Sequence, residues 1–456
     1  RGLPILHRSA LLAHLASRGK LIAVAGAHGK TTSTGMVITA LNRLGADPSF
    51  VNGGVIREYG ASAGFGKGEH FVIEADESDS SFLHYKTEVA LITNVDPDHL
   101  DHYGSFDKVK SAFVEFIENV PFYGAAMLCI DHPEVQAIIP RIRDRRILTY
   151  GFSAQADVRA DNVRPELGGN TFDVVIRVRD GSKREIKDVF LPMSGRHNVQ
   201  IALAAIAVGL ERGMTDAQVE NGFAKFGGVK RRFTKTGEAN GITVIDDYGH
   251  HPVEIAAVLR AARQAYGGSG RVIAVMQPHR YSRLSSLKAE FATCFTDADA
   301  VIIADVYAAG EAPIEGVNRD MLVNLVSRAG HRDVMPLGAP GDLPALIWQA
   351  ARPGDVVVCL GAGNITAWAH ALPGQLQQLA GAGQAFLDVT DAVDRLVQQR
   401  PLAAELLGVF GVVPDVRAFQ LAVYFFQALA LGIVVKDTPG ARPACPAGRR
   451  CAGGWD

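Results

Sequence analysis

The densest chemistry in the chain lies in residues 21–32. Leu21-Ile22-Ala23-Val24-Ala25 predicts a strand, Gly26-Ala27-His28-Gly29-Lys30-Thr31-Thr32 follows it directly, and a helical period continues to Leu44. Strand, glycine turn, lysine, hydroxyl and helix together make an anion site. Glycines let the backbone approach a ligand, amides at the helix start point at phosphate oxygens, and Lys30 supplies a positive charge. Gly26, His28, Gly29, Lys30, Thr31 and Thr32 are the expected phosphate contacts, with a threonine hydroxyl able to ligate a bridging magnesium ion. The common phosphate-loop pattern has four residues between its first glycine and the Gly-Lys pair. Val24 holds that first position here, so this loop is a shorter variant. The expected ligand is a nucleoside triphosphate.

Two later apolar runs end in acids: Phe71-Val72-Ile73 leads into Glu74-Ala75-Asp76-Glu77-Ser78-Asp79, and Leu91-Ile92-Thr93-Asn94-Val95 into Asp96-Pro97-Asp98-His99-Leu100-Asp101. In an open parallel sheet the strand C-terminal ends line the ligand crevice, so both clusters should face the phosphate loop. So many carboxylates would repel a triphosphate unless a divalent cation intervened, which calls for one or two magnesium ions. Glu74, at a strand end, is expected to be a metal ligand in preference to a helix cap. His99 is a second candidate, although a hard cation prefers oxygen. Asp76, Glu77, Asp79, Asp96, Asp98 and Asp101 are expected to be solvated loop residues and helix caps.

The elements that must position these groups alternate. Strand-like runs at 21–26, 71–74, 90–94 and 125–130 are separated by helical stretches, implying βαβ units and a mostly parallel sheet. Residues 158–193 switch to period-two alternation broken by glycine turns, which predicts appended antiparallel hairpins. A helix over 198–212 precedes Gly227-Gly228 and the basic Lys230-Arg231-Arg232, where a domain boundary is placed. Strands at 242–246, 271–277, 300–305 and 355–360, with helices at 252–266 and 285–295, predict a second doubly wound α/β domain. Asp246-Asp247-Tyr248-Gly249-His250-His251-Pro252 reads equally as a strand-end turn before a helix or as a functional turn. Beyond about residue 381 the rhythm fails. Residues 418–435 there carry no charge and meet the lower length limit of a spanning helix, although a packed apolar helix is favoured.

Composition narrows the class. At 456 residues the chain holds two to four domains, and 46 basic against 48 acidic residues leave a net charge of −2. That is too near zero to suggest a general nucleic-acid or membrane-surface binder and favours small-molecule partners. Five widely spaced cysteines without C-x-x-C spacing fit a reducing cytoplasm, and no charged-then-apolar leader opens the chain. Oligomeric state is left open.

Eight ordered blocks resemble the Mur ligases, ATP-dependent amino-acid ligases of peptidoglycan synthesis, across residues 3–380. They are the phosphate loop, residues 74–79 and 98–101, Ser194-Gly195-Arg196-His197-Asn198, Arg231-Arg232-Phe233, residues 246–252, Gln277-Pro278-His279-Arg280 and Gly361-Ala362-Gly363-Asn364. The resemblance implies a remnant or linker at 1–20, a central P-loop-type ATPase domain at 21–228, a Rossmann-like amino-acid domain at 229–380 and an unassigned tail at 381–456. It implies ATP and Mg2+ as cofactors. Lys30 and Thr31 would hold phosphates, Thr31, Glu74 and His99 the metal, and Asn198, Arg232 and Asp246 the nucleotide. His250 and Arg280, within the 277–283 segment, would face the reacting groups. Tyr307, Glu311 and residues 361–364 are weaker candidates for an amino-acid pocket.

The branch it most resembles implies UDP-N-acetylmuramate and L-alanine as substrates, joined through an acyl phosphate, with His250 or His251 accepting the amine proton. A recycling branch that attaches a whole peptide is the nearest alternative, and Glu77-Ser78-Asp79 looks more like the alanine branch. The chain departs from the pattern at Ala27, usually threonine, and Ile201, commonly asparagine. No counterpart of the family's UDP-binding domain is expected in it, which keeps a catalytically silent nucleotide-binding fragment as the third reading.

Overall fold

The computed structural model describes residues 5–381, apart from 167, 179, 269 and the side chain of Asp101. Cys445, Cys451 and the uncharged run at 418–435 lie outside the described residues. The described elements belong to one compact unit, Arg1–Ala380.

Ten strands form the first sheet: β1 (Lys20–Ala25), β2 (Ser49–Ile56), β3 (Ala61–Gly64), β4 (His70–Glu74), β5 (Val89–Ile92), β6 (Ala125–Cys129), β7 (Ile147–Gly151), β8 (Val158–Glu166), β9 (Gly169–Arg177) and β10 (Lys183–Leu191). Their order is β10-β9-β8-β7-β6-β5-β1-β4-β2-β3. From β2 through β8 every pairing is parallel, while β3, β9 and β10 join antiparallel at the two edges. The polar and apolar alternation after residue 158 thus extends the same sheet.

β1 shows why the apolar runs were legible. Ile22 and Val24 enter the core on one face and Leu21, Ala23 and Ala25 the core on the other, and all five are buried. A strand covered on both faces needs an unbroken apolar run. Helices Lys30–Arg43 and Arg196–Glu211 cover the first face through Met36, Leu41, Ala202 and Ile206. The helix Phe106–Glu118 covers the second with Val109, Phe113 and Phe116. Each large aliphatic side chain so buried contributes about 1.5–3 kcal/mol, so the strand ends are held rigidly.

From β1 the chain crosses to β2 on one side of the sheet, and from β4 it crosses back to β5 on the other. This reversal opens a crevice at the C-terminal ends of β1, β4 and β5.

The second sheet has six strands: β11 (Thr234–Ala239), β12 (Ile242–Asp247), β13 (Val272–Met276), β14 (Ala300–Ile303), β15 (Val334–Pro336) and β16 (Val356–Leu360). Their order is β11-β12-β16-β13-β14-β15, parallel except for β11. The helix expected at 285–295 is two, Tyr281–Ser286 and Lys288–Thr293, broken at Leu287. Strands β2, β3, β7, β11 and β15 were not foreseen. Among the described residues no helix is long and apolar enough to cross a membrane.

Candidate active site

The phosphate loop leaves β1 between the exits of β4 and β5, as the strand order requires. Lys30 is the first residue of its helix, and its Nζ lies 2.6 Å from the Gly26 carbonyl oxygen and 3.2 Å from that of Ala27. The ammonium also meets both Glu77 carboxylate oxygens, at 3.0 and 2.9 Å. Burial works against charge on Lys30, but Glu77, with Glu74 and Asp76, outweighs it and raises the pKa, so the side chain is cationic at neutral pH.

Glu77 corrects the sequence reading. Rather than a solvated loop residue or cap, it is 2% exposed and paired with the loop lysine. Nothing in a run of acids marks which one turns inward. Asp76 and Asp79 do cap turns, accepting from the Ser78 and Ser81 amides at 3.1 and 3.0 Å. Asp96 and Asp98 also depart from the solvated expectation: Asp96 lies between His28 and His132, and Asp98 is 3.6 Å from both His99 and Arg283.

Thr31 joins three parts of the site. Its hydroxyl donates to Glu74 Oε1 at 3.0 Å and accepts from Arg232 Nη2 at 3.2 Å, while Glu74 Oε2 accepts the Gly53 amide at 2.6 Å. Arg232 comes from the segment that leads into the second sheet, so the loop is touched from both sheets. Magnesium with octahedral oxygen ligands at ~2.1 Å needs neighbouring donors about 3.0 Å apart, and Thr31 Oγ1 and Glu74 Oε1 meet that spacing. His99 lines the same cavity, its Nε2 3.8 Å from Glu77 Oε1. Among the described residues no three His, Cys, Asp or Glu side chains form a ready cage for a metal ion.

Two cavities meet at the loop, sharing His28, Gly29, Arg232 and Glu254. The smaller, about 320 Å³, has apolar walls from Met193, Ile201, Phe233 and Val258, with Asn198 and His197 among them. Asn198 is held by its amide donating to the Ser194 carbonyl oxygen at 2.7 Å. The larger, about 1440 Å³, is lined by eight Lys and Arg side chains against four carboxylates. A largely apolar cavity opening beside a cationic basin suits a nucleobase with its phosphates and a further anionic substrate.

On the second sheet, His250 and Arg280 line the large cavity, as expected. Burial pushes the His250 pKa down to about 3 and that of His251 to about 4, so both are neutral imidazoles at pH 7. Asp246 is placed differently from the expectation. It is fully buried against Thr366 and lines neither cavity, whereas its neighbour Asp247 lines the smaller one. Glu311 accepts from the Ser282 amide and hydroxyl, and Asn364 from Gln277, so both serve local structure.

Sequence reasoning missed Glu254. It lies in the first turn of the helix Pro252–Tyr266, with Oε1 3.3 Å from His28 Nδ1. On its other side, His28 is 3.3 Å from Asp96. Burial opposes charge on His28, but the two carboxylates outweigh it and raise its pKa from 6.5 to about 9. The stability this gives is complete below about pH 6.5, erodes above it and is gone once pH passes about 9. Urea unfolding of the wild type should therefore lose roughly 3 kcal/mol between those limits. His28→Gln should lack that slope, and an equal slope in both would refute the pairing.

Residues 24–209 match the Mur ligase middle domain and residues 231–363 the Mur ligase, glutamate ligase domain. The UDP-N-acetylmuramate–L-alanine ligase of Rhizorhabdus wittichii is 59% identical over 373 residues, 81% of this chain and 78% of that protein. The crystal structure of UDP-N-acetylmuramate–alanine ligase from Thermotoga maritima has a TM-score of 0.66 at 25% identity, covering 81% of this chain and 79% of that one. A murein peptide ligase from Psychrobacter arcticus shares the fold, with a TM-score of 0.58 at 24% identity over 81% of this chain and 80% of that one.

Proposed function

This chain belongs to the Mur ligase family, and from that premise we propose that it joins L-alanine to the carboxylate of UDP-N-acetylmuramate at the expense of ATP. The observation that carries the reading is the Thr31 hydroxyl, held at once by Glu74 of the first sheet and by Arg232 from the approach to the second. Such a junction serves a reaction in which a phosphoryl group must be presented to a substrate lying between the sheets. The 59% identity to an alanine ligase supports the choice of amino acid.

A carboxylate resists amines because its leaving group would be oxide. The muramate carboxylate therefore attacks the γ-phosphorus of ATP, giving an acyl phosphate and ADP. The alanine amine then adds to that carbonyl, and the tetrahedral intermediate expels phosphate. Lys30 neutralises charge on the transferring group, helped by the loop amides, and Arg232 adds a second cation from the opposite side. Thr31, Glu74 and His99 would hold magnesium, which when bound supplies charge neutralisation between phosphate oxygens. Asn198 and the apolar cavity hold the base. His250, on the large cavity, is the candidate to take the proton the amine loses. In this reading the segment 21–228 manages ATP and the segment 229–380 presents the amino acid.

The test is phosphate release from Mg-ATP and UDP-N-acetylmuramate with L-alanine, set against the same mixture with a tripeptide. Release that depends on alanine is expected. Release only with tripeptide would assign the chain to peptide recycling, and ATP binding without release in either mixture would mark it a nucleotide-binding protein.

A further inference from the structure

Glu254 has no part in the phosphate chemistry above, yet it lines both cavities. As a helix cap it needs only an acceptor oxygen: Oε2 takes the amides of His250 at 3.1 Å and His251 at 3.3 Å. Its surroundings ask for more. Oε1 reaches from the second sheet to His28 Nδ1 in the phosphate loop of the first, at 3.3 Å. His28 Nε2 lies 3.3 Å from Asp96, whose other oxygen lies 3.3 Å from His132 Nε2. On the far side, His250 Nδ1 stands 3.6 Å from Glu254 Oε2. Bases and acids therefore alternate from His132 at the small cavity, through Asp96, His28 and Glu254, to His250 at the large one.

Two events must share one geometry here. Phosphoryl transfer depends on where the loop stands, and amine attack on where the His250–His251 turn stands. A displacement of about 1 Å between reacting groups costs on the order of 100-fold in rate. Charge-assisted contacts shielded from water are the stiffest polar links a protein has, and they fail badly when one partner is lost.

We propose that Glu254 is a positioning residue that, through His28, locks the phosphate loop to the His250–His251 turn so that acyl-phosphate formation and amine attack occur in one frame. The proposal rests on the ligase reading above, and its test separates the two. His28 is faced by Asp96 and Asn94 beyond β5, by His132 through Asp96, and by Glu254 and His251 from the second sheet, the His251 ring centre lying 4.5 Å away. Arg232 bears on Glu254 from the segment that leads into β11.

Glu254→Gln keeps the shape and an oxygen for both amides, and glutamine caps helices as glutamate does. It removes the charge that faces His28. The imidazole titration of His28, followed by NMR and assigned by its loss in His28→Gln, should move down by about one pH unit or more in Glu254→Gln. In the same variant kcat for alanine-dependent phosphate release should fall between about 10- and 100-fold, with the KM for ATP changing less than about threefold. A simple cap would leave both the midpoint and kcat unchanged, and either result overturns the proposal. If circular dichroism shows Glu254→Gln unfolded, His28→Gln carries the kinetic test with the cap intact, and wild-type kcat in it is the overturning result. Should the wild type release no alanine-dependent phosphate, the ligase reading fails by itself, and the His28 midpoint still decides whether the lock exists.

Discussion

Lys30→Met is expected to lower phosphate release by at least about 10³-fold and also to destabilise the fold by about 3–5 kcal/mol. The first effect follows from charge. Phosphoryl transfer has little covalent chemistry for a protein to supply, so a loop that loses its cation loses most of what it contributes. The second follows from Glu77. That carboxylate is 2% exposed and both its oxygens lie within 3.0 Å of the Lys30 ammonium. Without the lysine an uncompensated charge stays buried, and stripping one partner from a buried pair is far more costly than removing both. The double variant Lys30→Met/Glu77→Gln should therefore recover most of the lost stability in urea unfolding while staying inactive. This splits the lysine's two roles, and the cycle measures the coupling directly. A single variant as stable as the wild type would return Glu77 to the solvent and remove it from the site.

Glu77 also shows where sequence reading stopped. The strands that position the site were legible because they are covered on both faces: β1, β4, β5 and β6 must be apolar throughout. β2 was not, since Asn52-Gly53-Gly54 interrupts it. That interruption makes room for Glu74, because a side chain on Gly53 would strike its carboxylate at 2.5 Å. The edge strands β11 and β15 carry little pattern because one side of each is unpaired. Loop, lysine and Glu74 could be named from types and spacing. Which acid pairs with the lysine could not, because that depends on how the turn after β4 folds. Asp246 and Asp247 make the same point. Adjacent residues of a strand face opposite sides, and the sequence does not say which side carries the cavity. Glu254 was hidden for another reason: its partner His28 is 226 residues away, and within its own helix it reads as an ordinary capping residue.

Gly26→Ala should cost about 4 kcal/mol, more than the same change at the loop's other glycine, Gly29, because two penalties coincide there. Its φ is +136°, a region side chains avoid at a cost of about 1–3 kcal/mol. A Cβ at that position would also lie 2.1 Å from Thr93 Oγ1 and 3.0 Å from the Asn94 amide nitrogen and carbonyl oxygen. Thr93 cannot retreat freely, since its hydroxyl donates to the His28 carbonyl oxygen at 2.7 Å. Asn94 is committed too, accepting the His28 amide at 2.7 Å and donating to its carbonyl oxygen at 2.9 Å. Relieving the clash therefore loosens the hydrogen bonds that shape the loop, adding about 1 kcal/mol for each one lost. Gly29 makes the contrast. Its φ is +80°, but a Cβ there would meet only Ile201, at 3.4 Å. Gly29→Ala should cost about 1–2 kcal/mol, the conformational part alone. Urea unfolding of both variants tests the ranking, and the idea is lost if Gly26→Ala proves the milder change. What the comparison isolates is the source of the loop's form: the exit of β5, through Thr93 and Asn94, holds His28 from the side, and only a glycine at the end of β1 leaves room for that grip.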